Sequence, residues 1–424
     1  MLFHESSRFV RALCASLLAA PVFFSAASAQ RSPRDSAGVR LFDYRDTPMP
    51  APAFQISERP VRAFNGGEEM GTTISGATAI TRLFDGRWIV AIASTQSRGQ
   101  VVNPPPGAPP GDSSRVRIVF GEPTRVRELR IYDSLGTFLS RGGTADSTVA
   151  GHFRGTISFV REMPAGNVLV ATLAGDLSVH RLDGTFERSI AMAPNDRFVG
   201  VFDDGSMMLS RARVATTPLV DGTLAGYRLH QQTTDYFRVS ADGQSRVPLP
   251  VTTEQPWYVR NAAPLAGATP SAVALAPWPV STAALAFTNR DVIWLFDRVK
   301  WELRSTNAQG VVRSIVRPPV PDQVATAVLG GRFRMDSTYA ETMLVDDQGR
   351  LWMDAGDNVR LSNADYSLRR WLVVDHKTGL LGAVIMPPGF RPLEIRSALV
   401  YGWQRSTRGA PAIAAAYRIV PIRQ

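Results

Sequence analysis

The stretch Arg130-Ile-Tyr-Asp-Ser-Leu-Gly136-Thr-Phe-Leu holds an apolar strand, an aspartate, a glycine and a second apolar strand. Glycine supplies positive φ without steric cost, and Asp folds back onto the backbone, so the segment predicts a tight hairpin. Four further copies follow: His180-Arg-Leu-Asp-Gly184-Thr-Phe, Tyr236-Phe-Arg-Val-Ser-Ala-Asp-Gly243, Trp301-Glu-Leu-Arg-Ser-Thr-Asn-Ala-Gln-Gly310 and Trp371-Leu-Val-Val-Asp-His-Lys-Thr-Gly379. Their glycines lie 48, 59, 67 and 69 residues apart, intervals that mark a repeat architecture.

A second hairpin precedes most copies, as in Leu83-Phe-Asp-Gly86-Arg-Trp and Val345-Asp-Asp-Gln-Gly349-Arg-Leu-Trp. Each unit then holds four strands, a to d, with a–b and c–d joined by tight turns. The b strands, such as Trp88–Ala93 and Val168–Ala171, are nearly continuous apolar runs, which predicts burial on both faces. The c strands alternate more, as in Arg127–Tyr132. Four-stranded sheets packed between like sheets are what propeller blades require. Near the C-terminus, Pro392–Ile395, Ala398–Trp403 and Ile413–Val420 supply only three strands, while Phe54–Phe64 is a strand without its own unit. Joining them would remove exposed edges. The expected fold is all-β: a six-bladed β-propeller of four-stranded antiparallel blades, its ring closed by an N-terminal strand.

Residues 1–29 have the form of a secretory signal, with Arg8 and Arg11, an apolar run from Ala12 to Phe24, and Ala27-Ser28-Ala29 before Gln30. Residues 30–52 are expected as a linker and 53–424 as the propeller. The only cysteine, Cys14, lies in the leader, so the mature chain has neither disulfides nor thiolate metal sites. A secreted or periplasmic protein without disulfides must be held by its core, and a chain of this length can build one. No later stretch has the length of a membrane-spanning helix, so no stable insertion is expected after cleavage. The net charge of +10 comes from arginines scattered singly through strands and loops. Nucleic-acid binders cluster theirs among aromatics, so no nucleic-acid partner is expected. A monomer is expected.

The stretches Pro60-Val-Arg-Ala-Phe, Arg130–Gly143 and Ala150-Gly-His-Phe-Arg154 resemble six-bladed β-propellers of secreted bacterial proteins, akin to NHL-repeat propellers. The usual Gly-Pro-Gly-Glu-Phe link appears here as Val149-Ala-Gly-His152-Phe153, with His152 in the glutamate position. The resemblance covers about residues 53–424 and implies a fold without an activity.

The spacing of paired hairpins directs attention to one face. Gly166 to Gly184 spans 18 residues, whereas Gly86 to Gly136 spans 50, Gly205 to Gly243 spans 38 and Gly349 to Gly379 spans 30. The extra length lies in b-to-c connections, and the link Pro256–Pro279 is long too. In an up-and-down blade these share one face, and growth on one face often marks binding, although surface loops also drift. The insert at 101–111 is proline-rich, and its flanks could form an elongated hairpin.

No catalytic residue, metal ligand or cofactor is expected. The mature chain has only His152, His180, His230 and His376, none at metal-ligand spacing, and Gly-x-Ser-x-Gly is absent. The expected ligand-binding set is Arg82, His152, Arg154, Arg161, Arg260, Arg332 and Arg334, because the planar guanidinium suits carboxylates and phosphates. Each arginine could equally pair with an acidic neighbour. Trp257, Tyr258 and Trp278 could stack on a ligand or anchor their link. Two functions follow as expectations. One is a binding module for a protein, peptide or glycan on the long-loop face. The other is a propeller hydrolase or lyase with its site at the channel mouth.

Overall fold

The computed structural model describes residues 34–36, 38–64, 77–96, 99–102, 117–120, 124–144, 146–218, 227–260, 275–276, 284–287, 292–297, 301–320, 343–355, 369–405 and 413–422. The leader, the insert beyond Val102 and Trp278 lie outside them. Among the described residues the secondary structure is β-strand throughout, with no helix.

Four N-terminal strands come first: β1 (Arg34–Ser36), β2 (Val39–Asp43), β3 (Pro52–Ile56) and β4 (Arg62–Phe64). The first sheet contains β5 (Ala77–Arg82) and β6 (Trp88–Gln96). After a short hairpin of β7 (Gly99–Val102) and β8 (Arg117–Phe120), it continues with β9 (Thr124–Tyr132) and β10 (Phe138–Gly142). The second holds β11 (Ile157–Glu162), β12 (Val168–Thr172), β13 (Leu177–His180) and β14 (Phe186–Ser189). The third holds β15 (Asp196–Val201), β16 (Met207–Pro218), β17 (Tyr227–Val239) and β18 (Arg246–Arg260), with β19 (Leu275–Ala276) at its edge. The fourth holds β20 (Ala284–Phe287), β21 (Ile293–Asp297), β22 (Glu302–Thr306) and β23 (Val312–Arg317). The fifth holds β24 (Met343–Val345), β25 (Leu351–Asp354), β26 (Arg369–Asp375) and β27 (Gly379–Met386). Last come β28 (Phe390–Arg396), β29 (Leu399–Gln404) and β30 (Ile413–Pro421). Strands consecutive within a set pair antiparallel, which is the form of propeller blades.

The apolar b strands explain how the sheets stack. In β6, Val90 and Ile92 pack on one neighbour, while Ile89 and Ala91 pack on the other. In β12, Val168 and Val170 face the first sheet, and Leu169 and Ala171 face the third. A period-2 strand buried on both sides must be apolar at every position. Each buried valine, leucine or isoleucine among them contributes roughly 1.5–3 kcal/mol. The same contact recurs around the series. Met208 and Tyr236 of the third sheet meet Ile293 of the fourth. Trp294 and Trp301 of the fourth meet Met353 and Leu372 of the fifth. Trp352 and Trp371 of the fifth meet Val400 and Tyr417 of the last. Tyr401 and Ala416 of the last meet Trp88 and Val90 of the first. Where the first two sheets come closest, a Cβ on Gly142 would run into the backbone of Gly184, so only glycine fits.

The N-terminal strands join sheets built from distant sequence. β2 runs parallel to β23, with Asp43 opposite Arg317, so the expected linker over 30–52 includes paired strands instead. The apolar side chain of Phe42 explains this, because it is buried in the cluster between the fourth and fifth sheets. Arg317 donates to Asp43 Oδ2 at 3.1 Å and to Glu302 Oε1 at 2.7 Å. Burial pushes the Asp43 carboxyl up, but hydrogen bonds from Arg45 and Arg317 outweigh it and lower its pKa to about 2. The expected single strand at 54–64 is two strands. β3 pairs parallel with β27 and antiparallel with β30, while β4 pairs antiparallel with β30. Pro60, which lacks an N–H, lies in the break between them.

Candidate functional site

Because the strands alternate in direction, the a–b and c–d turns share one face and the b–c and d–a connections share the other. The turn face is tied down. In the first sheet, Gly86 takes a φ of 92° and its N–H donates to Leu83 O at 3.0 Å, which closes the turn after Arg82. Arg82 ends β5, with its guanidinium 5.7 Å from the centre of the Trp88 ring. Arg161, near the end of β11, donates through Nε and Nη2 to Glu394 Oε1 at 3.1 and 2.9 Å. Glu394 lies on β28, and β5 packs against both β11 and β28. The ion pair therefore reaches past one whole sheet, and both partners are largely shielded from solvent.

The neighbouring residues are engaged in the same way. The Phe84 N–H donates to Glu162 Oε2. Burial pushes the Glu162 carboxyl up; the Phe84 N–H opposes this and the charge of Asp85 adds to it. Arg396 lies 4.5 Å from the centre of the Phe84 ring, and the Ser397 N–H donates to Asp347 Oδ2 at 2.7 Å. Burial, reinforced by Glu394, raises the pKa of the Tyr401 hydroxyl. Four sheets thus contribute side chains that satisfy one another at this mouth. Arg82 and Arg161, expected near channel-facing segments, lie on this turn face, opposite the long loops. The reason is their position, each one or two residues before an a–b turn.

On the opposite face, Arg154 is engaged by a carboxylate. Its Nε donates to Asp176 Oδ1 at 2.6 Å, although the side chain is largely exposed. Arg127 Nη1 holds the same link through Phe153 O at 2.8 Å and Arg154 O at 2.6 Å. His152 lies in that link, half-buried, with Nδ1 3.2 Å from Val149 O. Arg260 ends β18 opposite Tyr227. Arg332 and Arg334 lie outside the described residues. His180 is a core residue of β13: its Nδ1 lies 3.1 Å from Gly184 O and its Nε2 2.9 Å from Ser178 Oγ. Burial lowers its pKa and favours the neutral ring.

The long b–c connections of the first and third sheets continue as β-structure. β6 and β9 stay in register out to Gln96 and Thr124, and β7 and β8 pair beyond them. In the third sheet, β16 pairs with β17 without a break from Met207–Val239 to Pro218–Arg228. β18 follows β17 out to Arg260–Tyr227, so Pro256–Arg260, expected as link, is strand. The third sheet therefore carries a projecting arm. At its base, the buried Asp196 carboxylate accepts from Arg211 Nε at 2.9 Å and from Arg246 Nη2 at 3.1 Å. Arg246 stacks 3.8 Å from the centre of the Phe237 ring. Burial pushes the Asp196 carboxyl up, but these arginines outweigh it and lower its pKa. Beyond Arg211, where β15 begins opposite, Ala212 to Thr216 are all exposed. Arg213 is held by Asp235 at 2.8 and 3.0 Å, and Gln231 Nε2 donates to Glu254 Oε2 at 3.2 Å.

Sequence reasoning found the length of these connections and offered an elongated hairpin for the first sheet, but missed the strand form in the third. The signal was present in the strand-forming run Arg211-Ala-Arg-Val-Ala-Thr-Thr. It missed the Arg161–Glu394 and Asp196–Arg246 pairs, whose partners are far apart in sequence.

No family model matches the chain, and no curated protein matches it. Among solved structures, it is similar to a member of the DUF4221 family from Bacteroides vulgatus, at 8% identity and a TM-score of 0.49, over 87% of this chain and 99% of that one. A streptogramin B lyase aligns at 10% identity and a TM-score of 0.37, over 87% and 100% of the two chains. The C-terminal WD40 domain of Sif2 aligns at 8% identity and a TM-score of 0.34, over 86% and 98%.

Proposed function

We propose that this chain is a secreted or periplasmic six-bladed β-propeller, closed by its N-terminal segment, that binds a protein, peptide or glycan on its long-loop face. The return of the packing series to the first sheet through Tyr401 and Trp88 supports the blade count. The pairing of β4 with β30 supports the closure, since it gives the last three strands a fourth. Export rests on the leader-like composition of residues 1–29. A full-length chain that keeps residues 1–29 and stays inside the cell on expression would count against it.

One observation carries the binding function: the two faces are built differently. Polar side chains close the turn face onto itself. On the other face, β16 runs on past the sheet core, and Ala212–Thr216 are exposed. Projections of this kind suit recognition. The test uses the mature protein on peptide and glycan arrays, beside a form in which a two-residue turn replaces Val214–Gln232. Binding that is lost in the shortened form is expected. Array ligands held equally by both forms would refute the proposal.

A further inference from the structure

Strand edges in this molecule are treated in two ways. The outer edges of β23, β27 and β30 are covered by β2, β3 and β4. β14 is four residues long, carries Glu187 and Arg188, and has a register shift, and β10 is five residues long with a shift and Arg141. Short length, charge and bulges are the usual protection of an edge. The arm segment of β16 has none of the three in full. Its ladder to β17 is unbroken over twelve residues. Ala212, Val214 and Ala215 are small or apolar, and the one charge, Arg213, is neutralised by Asp235. Among the described residues no strand pairs with Ala212–Ala215 on the side away from β17, and all four residues are exposed.

We propose that this edge takes an extended acidic peptide segment of a partner as an added β-strand. The proposal rests on the binding function given above and specifies its ligand. An added strand obtains its affinity from main-chain hydrogen bonds and its register from alternate side chains. The edge offers the first through its backbone. It offers the second through the small side chains that flank Arg213, which leave room for a partner's side chains in the neighbouring rows. The acidic character follows from the net charge of +10, because Arg211 and Arg213 are already paired with Asp196 and Asp235.

The probe is a fluorescein-labelled peptide of alternating valine and glutamate, measured by anisotropy with the mature protein. Binding is expected, and about tenfold or greater weakening is expected when alternate peptide nitrogens are methylated or lysine replaces glutamate. Prolines in β16 provide the protein-side test. Backbone N–H groups alternate in direction along a strand, so A212P and V214P form one class, and R213P and A215P the other. The class whose N–H groups point outward should lose binding with an unchanged melting curve. The other class should disturb the β17 ladder and lower the melting temperature. The inference is overturned if the parent peptide fails to bind, if the methylated peptide binds equally well, or if the outward class leaves binding unchanged. Array ligands lost in the shortened form while this peptide never binds would sink the inference alone. Array ligands kept in the shortened form would sink the binding function itself.

Discussion

The second and third sheets share one topology and differ in what lies beyond it. In the second, β12 is five residues long and every one is buried. In the third, β16 is twelve residues long; its start is as deeply buried as β12, and its exposed stretch begins at Ala212. The boundary is Asp196, where two arginines close the core with a buried carboxylate. Inside that line, residues are held by neighbours on both faces. Outside it, they are held by the ladder and by surface pairs such as Arg213–Asp235. Core packing and solvent exposure thereby fall on different lengths of the same strand.

The most demanding test of this division is a core truncation. Trp371→Ala, fully buried between the fifth and last sheets, should cost about 3–5 kcal/mol in urea unfolding. If it cost no more than an arm substitution, the division would be wrong. Next is Arg161→Ala on the turn face, which leaves Glu394 shielded and without its cation. A loss of about 1–3 kcal/mol is expected, partly restored when Glu394→Ala is added, as a double-mutant cycle would reveal.

A third test concerns the N-terminal strands. Asp43 has a folded pKa of about 2 against an ordinary value of 3.8. A depressed carboxyl contributes stability that is present above its unfolded value and lost as pH falls through the folded one. Loosening of β2 from β23 is therefore expected as pH falls from about 4 to 2, read by hydrogen exchange. Asp43→Asn should produce it at neutral pH, and protection that stays constant across that range would remove the role of this ion pair. The smallest effect should come from Arg213→Ala on the arm. Its pair with Asp235 is exposed and screened by solvent, so the melting curve should hardly move.

Local features of the fold were legible in the sequence. The turns at Gly86, Gly136 and Gly184 follow from Asp, Gly and their flanking apolar residues, which interact over a few positions. The runs Trp88–Ala93 and Val168–Ala171 announced burial on both faces, and the clusters bear that out. Much less of the candidate site was legible. Arg154 was singled out as a ligand contact, yet Asp176 engages it, and no local pattern distinguishes a paired arginine from an open one. Arg161 and Glu394 are 233 residues apart, and only the packing of β11, β5 and β28 brings them together. The linker expectation over 30–52 missed that Phe42 has a cleft to fill.

The sequence by itself determined where the chain turns, which strands are buried on both faces and where length was added, because each depends on neighbours within about ten residues. Tertiary structure decided which charges are satisfied, which edges the N-terminal strands cover and, among the described residues, which edge has no partner strand. Those outcomes depend on distances between residues tens to hundreds of positions apart, set only once the strands have paired and the sheets have stacked.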